Sequence, residues 1–445
     1  MKSFAIKLLL LVLALTCMLS LLPSCDSEPS EPPKPVDAAP EPSEPEAPSD
    51  PEAPSTPETP TPTPVVLTDF ERYPSNTSAP TGHNSALKSD TPVTETFRAT
   101  YKVQEYGKFD YKFFFSNNIN STYASGADTY RDMPTALYRI ESAYVGTSRN
   151  LWVAGEFDNK QPVLFGGQTV RAVKPKETFW SDPISIDVAQ MNSTNYLVFE
   201  WTVTYTVIPS TKISTTMAGM KQTDPTKYRF YAASDIPMPD LIGADRGAKL
   251  RIGFIGDSIT MGEFSGATTS SKATYEFWAA QIADGLGEDV SVWNLGLGYA
   301  RGDDAANSPS WLYKAKQCDV VGICFGVNDI NSGAYQTHDP ATKDEILADI
   351  TKIAEELEAA GVEVIIFSIP PYTFSNQQKI DIWRESNVAL KALATEKGYK
   401  FFDFAAPLAD ASAPEVPLYG GHPNNVGCTK VAEAFLAAGL ITIPE

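Results

Sequence analysis

The chain has 445 residues, 42% of them hydrophobic, and carries a formal net charge of −20 at neutral pH. This length corresponds to about three domains of ordinary size, and the apolar content is sufficient for well-packed cores. The excess of acidic side chains argues against nucleic acids and anionic membrane surfaces as partners, because both would repel the chain. We therefore expect globular domains that act on other classes of partner.

The first 25 residues have the pattern of an export signal. Lys2 and Lys7 precede an apolar run over residues 8–22, which is short for a membrane span of about 20 residues. The run ends in Leu-Pro-Ser-Cys, so Cys25 resembles the lipid-modified first residue of mature bacterial lipoproteins. An uncleaved signal anchor and ordinary secretion are the alternatives. We predict a lipoprotein signal over residues 1–25 and an exported protein held at the bacterial cell surface by its lipid anchor.

Residues 26–65 consist mainly of proline, glutamate, serine, threonine and alanine. The segment 26–64 contains ten acidic residues against the single lysine Lys34. Such a composition cannot bury enough apolar surface to offset the entropy of the chain. We predict a disordered linker that holds the following domains away from the membrane.

Residues 66–245 are predicted to form an all-β domain. Apolar and polar side chains alternate over 109–115 and 197–207, as in half-buried strands with one face on a core. Turn residues at short intervals favour a β-sandwich or jelly roll. Trp152 and Trp180 would be candidates for stacking on sugar rings if exposed, whereas a structural or cleft-shaping role is the alternative.

Residues 246–445 change to an alternation of strands and helices. The clearest helix spans 343–360, with its apolar residues on one face and Gly361 as its end. Strands separated by helices predict a parallel sheet with right-handed crossovers. Five strands are predicted, over 250–255, 290–295, 319–325, 362–368 and 399–402.

Four short polar blocks follow the predicted strands or precede the last helix. They are Gly256-Asp257-Ser258, the block Asn294 to Tyr299 that contains Gly296 and Gly298, Gly326 to Asp329 with Asn328 between them, and His422-Pro423. Parallel sheets gather their chemistry at the carboxyl ends of the strands. A hydroxyl, an imidazole, close glycine backbone and a side-chain amide are the parts needed for acyl transfer. Caps and turns explain each block when it is taken alone, but not the ordered set of four.

These four blocks resemble those of the SGNH, or GDSL-type, hydrolase superfamily over residues 249–440. The resemblance implies a flavodoxin-like three-layer α/β/α fold with a five-stranded parallel sheet, preceded here by the β domain. It also implies hydrolysis of carboxylic esters without a metal or organic cofactor.

By position, Ser258 resembles the family nucleophile and His422 its general base. The resemblance assigns an oxyanion hole to the N–H of Ser258, a backbone N–H of Gly296 or Gly298, and the amide of Asn328. Asp257, Asp329 and Tyr419 are expected to support these groups.

Two positions depart from the family pattern. Tyr419 stands three residues before His422, where many members have an aspartate, and a phenol cannot hold an imidazolium as a carboxylate does. A serine–histidine dyad with a backbone carbonyl as the orienting group, or a carboxylate from Asp410 or Glu415, are the open alternatives. Tyr299 stands where many members have the glycine of the oxyanion hole.

The predicted function is an extracellular serine esterase that works through an acyl-enzyme. We expect it to remove O-acetyl groups from a polysaccharide or cell-envelope glycan, with an acylated carbohydrate or other small ester as substrate. It is expected to touch the membrane only through its lipid anchor and to bind no nucleic acid. The alternatives are a lipase, lysophospholipase or thioesterase of the same family, and a non-catalytic glycan-binding lipoprotein.

Overall fold

The computed structural model describes residues 67–122, 131–190, 195–212, 216–224, 226–263, 276–331 and 339–445. The predicted signal with Cys25 and the predicted linker 26–65 lie outside the described residues. From residue 65 onward the chain forms one compact unit. The β domain and the α/β domain are therefore packed together rather than tethered.

The N-terminal part of this unit is an antiparallel β domain, as predicted. It begins with the short helix α1 (Asp69–Arg72). Its strands are β1 (Ser85–Tyr101), β2 (Gly107–Ser116), β3 (Asn118–Ile119), β4 (Met133–Pro134), β5 (Tyr138–Ser148), β6 (Asp158–Pro162), β7 (Arg171–Val173), β8 (Thr178–Trp180), β9 (Ile184–Val188), β10 (Tyr196–Lys212), β11 (Met217–Gln222), β12 (Phe230–Ala232), β13 (Asp235–Ile236) and β14 (Leu241–Ala244). One sheet has the order β12-β11-β1-β10-β5-β6, with β7 on β5 and β13 on β10. The other large sheet has the order β14-β2-β8, with β9 on β2, and β3 pairs with β4 in a separate two-stranded sheet.

The core of the β domain is aromatic and lies between the two sheets. Phe113 of β2 packs on Phe199 of β10 with ring centroids 4.9 Å apart, and Phe115 packs on Trp201 at 5.5 Å. Aromatic side chains bury large apolar areas, so these contacts hold the sheets together. Both strands contain the stretches predicted from alternation, 109–115 and 197–207.

The outer face of β10 differs from the prediction of a half-buried strand. Val198 is fully buried in a second apolar cluster with Phe157 and Phe230. Glu200 is also buried, and its carboxylate accepts from the Arg98 guanidinium, with Nε 3.1 Å from Oε2. Alternation marked this face as polar, but a paired charge under covering loops is compatible with burial.

The C-terminal part is the predicted parallel α/β domain. Its strands are β15 (Leu250–Gly256), β16 (Val290–Gly296), β17 (Val320–Cys324), β18 (Glu363–Phe367) and β19 (Lys400–Phe402). The sheet order is β16-β15-β17-β18-β19, which is the flavodoxin-like order 2-1-3-4-5. Each predicted strand agrees with the observed one to within a residue at either end.

The helices of this domain cover the sheet. They are α2 (Ser258–Met261), α3 (Trp278–Leu286), α4 (Gly302–Ala306), α5 (Pro309–Ala315), α6 (Val327–Asn331), α7 (Lys343–Glu358), α8 (Gln377–Lys397) and α9 (Asn425–Ala437). A short 3₁₀ helix (Ala406–Leu408) and the hairpin of β20 (Ala409–Asp410) and β21 (Ala413–Pro417) follow β19. The helix predicted over 343–360 is α7, which ends two residues earlier. None of the helices in the described ranges has the length and apolar content needed to cross a membrane.

The β domain covers the edge strand β16 of the parallel sheet. The Gln104 side chain pairs with Val292 through both amide atoms, donating to its carbonyl at 2.6 Å and accepting from its N–H at 3.3 Å. The Thr81 N–H donates to the carbonyl of Asn294 at 2.7 Å. An exposed sheet edge offers unpaired backbone groups, so these contacts complete the edge of the parallel sheet.

A buried ion pair also joins the two domains. Lys314 on α5 donates from Nζ to Asp240 of the β domain at 2.5 Å and to Asn120 at 2.8 Å. The Asp240 carboxylate also accepts from the Ser116 N–H and lies 3.3 Å from His83 Nε2. Buried charges need such complete pairing, so the position of α5 against the β domain is strongly specified.

Candidate active site

Ser258 lies at the end of the parallel strand β15. The strand stops at Gly256, and Asp257 caps helix α2 by accepting from the Ile259 N–H at 2.8 Å. A Cβ atom at Gly256 would stand 2.2 Å from Thr260 Oγ1, so this turn requires glycine. The tight turn places the partly exposed Ser258 as the first residue of the helix.

His422 meets Ser258 across 164 residues of sequence. The distance between Ser258 Oγ and His422 Nε2 is 2.7 Å. His422 lies in the turn before α9, whose first N–H groups are capped by Asn424. Burial lowers the pKa of His422 below its usual value. A neutral imidazole can accept the hydroxyl proton, so the pair has the protonation needed for a nucleophile and its base.

The two carboxylates proposed as orienting groups lie elsewhere. Asp410 accepts from the Ser412 N–H at 2.8 Å, and Glu415 Oε1 pairs with Arg384 at 3.1 Å. The carbonyl of Tyr419 accepts from the Asn424 N–H. Among the described residues, Ser258 is the hydrogen-bond partner of the His422 side chain. The structure therefore brings together a serine and a histidine, and no carboxylate among the described residues is hydrogen-bonded to that histidine.

Asn328 and the Ser258 backbone stand at the same sheet edge. Asn328 follows β17, and its Nδ2 donates to the Ala300 carbonyl at 3.1 Å and approaches Asp257 Oδ2 at 3.4 Å. The Ser258 N–H donates to no acceptor among the described residues. β15 and β17 flank the position where the strand order reverses, which is where such sheets bind ligands.

The two glycines after β16 have different environments. The Gly296 N–H donates to Asn294 Oδ1 at 3.0 Å, and a Cβ there would stand 2.2 Å from the Met261 backbone nitrogen. The Gly298 N–H faces Met261 Sδ at 3.1 Å. A thioether is a weak acceptor, so Gly298 keeps a donor for a stronger acceptor while Gly296 does not.

Asp257 and Asp329 are buried carboxylates that hold the surrounding backbone. Burial raises the pKa of each to about 7. Asp329 Oδ1 accepts from the Gly302 N–H at 2.9 Å, at the start of α4. Asp257 caps α2 and stands beside the Asn328 amide. Both side chains therefore hold backbone N–H groups next to the serine and at the start of α4.

Two tyrosines line the site, and the sequence had indicated only one of them. Tyr299 has a φ of 63°, the left-handed region that favours glycine. Tyr372 follows β18 and stands edge-on to the His422 ring, with centroids 6.2 Å apart. Burial first, then the charges of Asp257 and Tyr299, raise the pKa of Tyr372, which places these groups near one another. The sequence signal that could have pointed to Tyr372 was its position in the loop after the fourth predicted strand, at the edge of the sheet that carries the site.

A metal site would need several side chains with ligand atoms close together. Among the described residues, no group of three or more histidine, cysteine, aspartate or glutamate side chains is arranged to hold a metal ion.

The fold and this site define a class of protein. A serine after the first strand of a parallel sheet with the order 2-1-3-4-5, hydrogen-bonded to a histidine before the last helix, is the arrangement of a serine hydrolase. Residues 254–429 match the model of the GDSL-like Lipase/Acylhydrolase family. The α/β domain is therefore a GDSL-type carboxylic ester hydrolase domain, and this membership concerns that domain of the chain. No curated protein matches the chain.

Several solved structures are similar to part of this chain at low identity. A lipolytic protein of the G-D-S-L family from Veillonella parvula is 22% identical, over 42% of this chain and 96% of its own, with a TM-score of 0.34. A catalytic mutant of an acetylxylan esterase from Geobacillus stearothermophilus is 20% identical, over 45% and 98%, with a TM-score of 0.35. A carbohydrate acetylesterase from Sinorhizobium meliloti is 19% identical, over 43% and 100%, with a TM-score of 0.34.

Proposed function

We propose that the chain is a serine esterase in which Ser258 is the nucleophile and His422 the general base. The observation that supports this most is the 2.7 Å hydrogen bond between Ser258 Oγ and His422 Nε2. It lies within the range in which a base can take a hydroxyl proton. The family match of residues 254–429 supports ester hydrolysis independently of this distance.

In this mechanism, Ser258 Oγ attacks the ester carbonyl while its proton passes to His422 Nε2. His422 then gives that proton to the leaving alcohol, and an acyl-enzyme remains. In the second half, His422 takes a proton from water, the resulting hydroxide attacks the acyl carbonyl, and Ser258 leaves with the proton. Two tetrahedral oxyanions form along this path and need donors.

The proposed donors are the N–H groups of Ser258 and Gly298 and the Nδ2 of Asn328. The Asn328 amide makes one ordinary bond to the Ala300 carbonyl and one long contact of 3.4 Å to Asp257. A contact of that length is weak, so an oxyanion can replace it at small cost. The Gly296 N–H already donates to Asn294 Oδ1, so it does not serve the oxyanion.

We propose short acyl groups, chiefly O-acetyl on a polysaccharide or cell-envelope glycan, as the substrate. Tyr299 and Tyr372 beside the serine and histidine reduce the room for a long acyl chain. We also propose that Cys25 anchors the protein at the cell surface, as its sequence context suggests. Replacing Cys25 with serine should then release the protein from the membrane fraction, and unchanged retention would contradict the anchor.

The test is hydrolysis of p-nitrophenyl acetate by residues 26–445, which lack the proposed signal and its cysteine. We expect turnover by the wild type and a loss of at least about 10³-fold in Ser258→Ala and in His422→Ala. Ser412→Ala, which removes a hydroxyl from an exposed turn, is the control and should keep full activity. Equal rates for the wild type and Ser258→Ala would overturn the proposal.

A further inference from the structure

A pocket of about 300 Å³ lies where the β domain meets helix α5, away from Ser258 and His422. Residues of both domains line it. From the β domain come Phe114, Asn118, Asp132 and Lys176, and from α5 come Ser310 and Tyr313. Ligand sites often occur at such junctions, with a mainly apolar wall and a few polar groups that converge.

Asn118 lines this pocket and has a buried side-chain acceptor without a partner. The residue is only 6% exposed, and its Nδ2 donates to Asp132 Oδ1 at 2.8 Å. Its Oδ1 is buried and has no hydrogen-bond partner in the described structure. An orphaned buried acceptor is costly. A ligand hydroxyl would satisfy it once a small rotation of the Asn118 side chain turns this oxygen toward the pocket.

Tyr313 supplies a fixed aromatic surface at the same pocket. Its side chain is 44% exposed. The ring is held from behind by Phe70 and Phe114, with centroid distances of 6.0 and 6.5 Å. A supported aromatic ring with one open side suits a ligand that is apolar on its faces and polar at its edges.

The backbone of the pocket wall is strained at two places. Asp132 has a φ of 50° and Lys176 a φ of 64°. Among the described residues, only four that are not glycine have a positive φ, and a third, Tyr299, lies in the active site. Such strain concentrates at ligand sites, where the surrounding structure maintains it.

A short series of contacts leads from the pocket to the start of α4 near the active site. Asp132 accepts from the Ser310 N–H at 3.1 Å, and the preceding residue, Arg131, pairs with Asp303 of α4. The first N–H of α4 is held by Asp329, which follows Asn328 in sequence. A polymer that occupies the pocket therefore lies beside the element that supports the active site.

We propose that this pocket is a non-catalytic saccharide subsite that binds one sugar ring of a glycan. Sugar rings combine apolar faces with hydroxyl donors at their edges, which matches Tyr313 and the free Asn118 Oδ1. Lys176 and Ser310 supply further polar contacts at the rim. The idea that this glycan carries the ester to be cleaved rests on the proposed esterase function. Binding of a sugar ring at the pocket does not depend on that function.

The test measures binding separately from hydrolysis. Cello-, xylo-, manno- and chitohexaose are titrated by calorimetry into residues 26–445 carrying Ser258→Ala. We expect at least one of these oligosaccharides to bind with a Kd below 10 mM. Tyr313→Ala and Asn118→Leu, each added to that protein, should weaken binding at least tenfold. Tyr231→Ala, which removes another exposed tyrosine of the β domain, should not.

The same substitutions are also made in the protein that retains Ser258. There the rate of p-nitrophenyl acetate hydrolysis should stay within twofold of the wild-type rate. Lys176→Gly provides a second variant, because glycine accepts the positive φ and the fold is retained. It should weaken binding as well. Absence of binding by all four oligosaccharides, or binding unaffected by Tyr313→Ala, Asn118→Leu and Lys176→Gly, would overturn the subsite. Failure of the wild type to hydrolyse p-nitrophenyl acetate would instead overturn the proposed esterase function.

Discussion

Lys314 and Asp240 form a buried ion pair that joins the α/β domain to the β domain, with 2.5 Å between Nζ and Oδ1. Burial lowers the pKa of Lys314, against the attraction of Asp240. Burial also opposes ionisation of Asp240, yet Lys314 and His83 together hold the pKa of that carboxyl below its usual range. The pair is thus ionised in a nearly water-free junction, where each charge depends on the other.

Replacing Lys314 with methionine should lower the free energy of unfolding by about 3–5 kcal/mol, because it leaves the Asp240 charge buried without its main partner. Urea unfolding of residues 26–445 measures this. Lys316→Met is the matched control, since Lys316 pairs with Glu356 at the surface and should cost at most about 1 kcal/mol. Equal effects of the two substitutions would show that the buried pair does not hold the junction.

Removing the Asn328 amide should slow the chemical step. We expect Asn328→Ala to lower kcat for p-nitrophenyl acetate by about 10²–10³-fold with little change in KM, as for loss of one oxyanion donor. Asn307→Ala, which removes an exposed amide bonded to Asp303, is the control and should be neutral. A rise in KM with unchanged kcat would assign Asn328 to substrate binding instead.

The pH dependence of activity should reflect His422. The imidazole must be neutral to act as a base, and burial lowers its pKa. Activity should therefore persist as the pH falls and be lost through an apparent pKa of kcat/KM below the usual value of about 6.5. A limb near 7 that disappears in Asp257→Asn would assign the ionisation to Asp257 and contradict this expectation.

Asp329 should make the protein less stable as the pH rises. Its pKa is about 7 in the folded state and about 3.9 in an unfolded chain, so between these values the folded state binds more protons. Stability is thus lost from pH 4 to pH 7, by up to about 4 kcal/mol from this group. Asp329→Asn keeps the acceptor for the Gly302 N–H but cannot ionise.

Urea unfolding at pH 4.5 and pH 8 tests this prediction. The loss of stability between the two pH values should be smaller in Asp329→Asn than in the wild type. Parallel changes in the two proteins would show that the carboxyl is not protonated in the folded state.

The two tyrosines of the active site should limit acyl-chain length. Wild-type rates on p-nitrophenyl esters should fall from acetate to butyrate to octanoate. Tyr299→Gly suits the positive φ at that position and removes the side chain. It should raise the octanoate-to-acetate ratio at least about tenfold, since added space favours the longer chain by a few methylene contacts.

Tyr372→Ala should act in the same direction, and Tyr231→Ala should leave the ratio unchanged. A wild-type enzyme that prefers octanoate would instead favour the lipase or thioesterase alternative. No hydrolysis of any chain length would favour the non-catalytic glycan-binding lipoprotein.

The sequence by itself determined the elements of the α/β domain and the position of its chemistry. Strands such as β15 and β16 are mainly apolar and end in glycine, and α7 shows a clear helical period with Thr342 as its cap. These are local properties of the chain. Parallel strands place their carboxyl ends at one edge, so the blocks at Ser258 and Asn328 could be assigned to one site before any contact was known.

Only the tertiary structure decided the partners of these elements. Periodicity can indicate that one face of a strand is buried, but it does not identify the residues that bury it. The second cluster around Val198 and the contact of Gln104 with β16 therefore could not be predicted from the sequence. The difference between the Gly296 and Gly298 N–H groups depends on acceptors from other segments. The orphaned Asn118 oxygen likewise depends on long-range packing. Hydrogen-bond satisfaction is a property of the assembled neighbourhood, and the order of residues along the chain does not contain it in readable form.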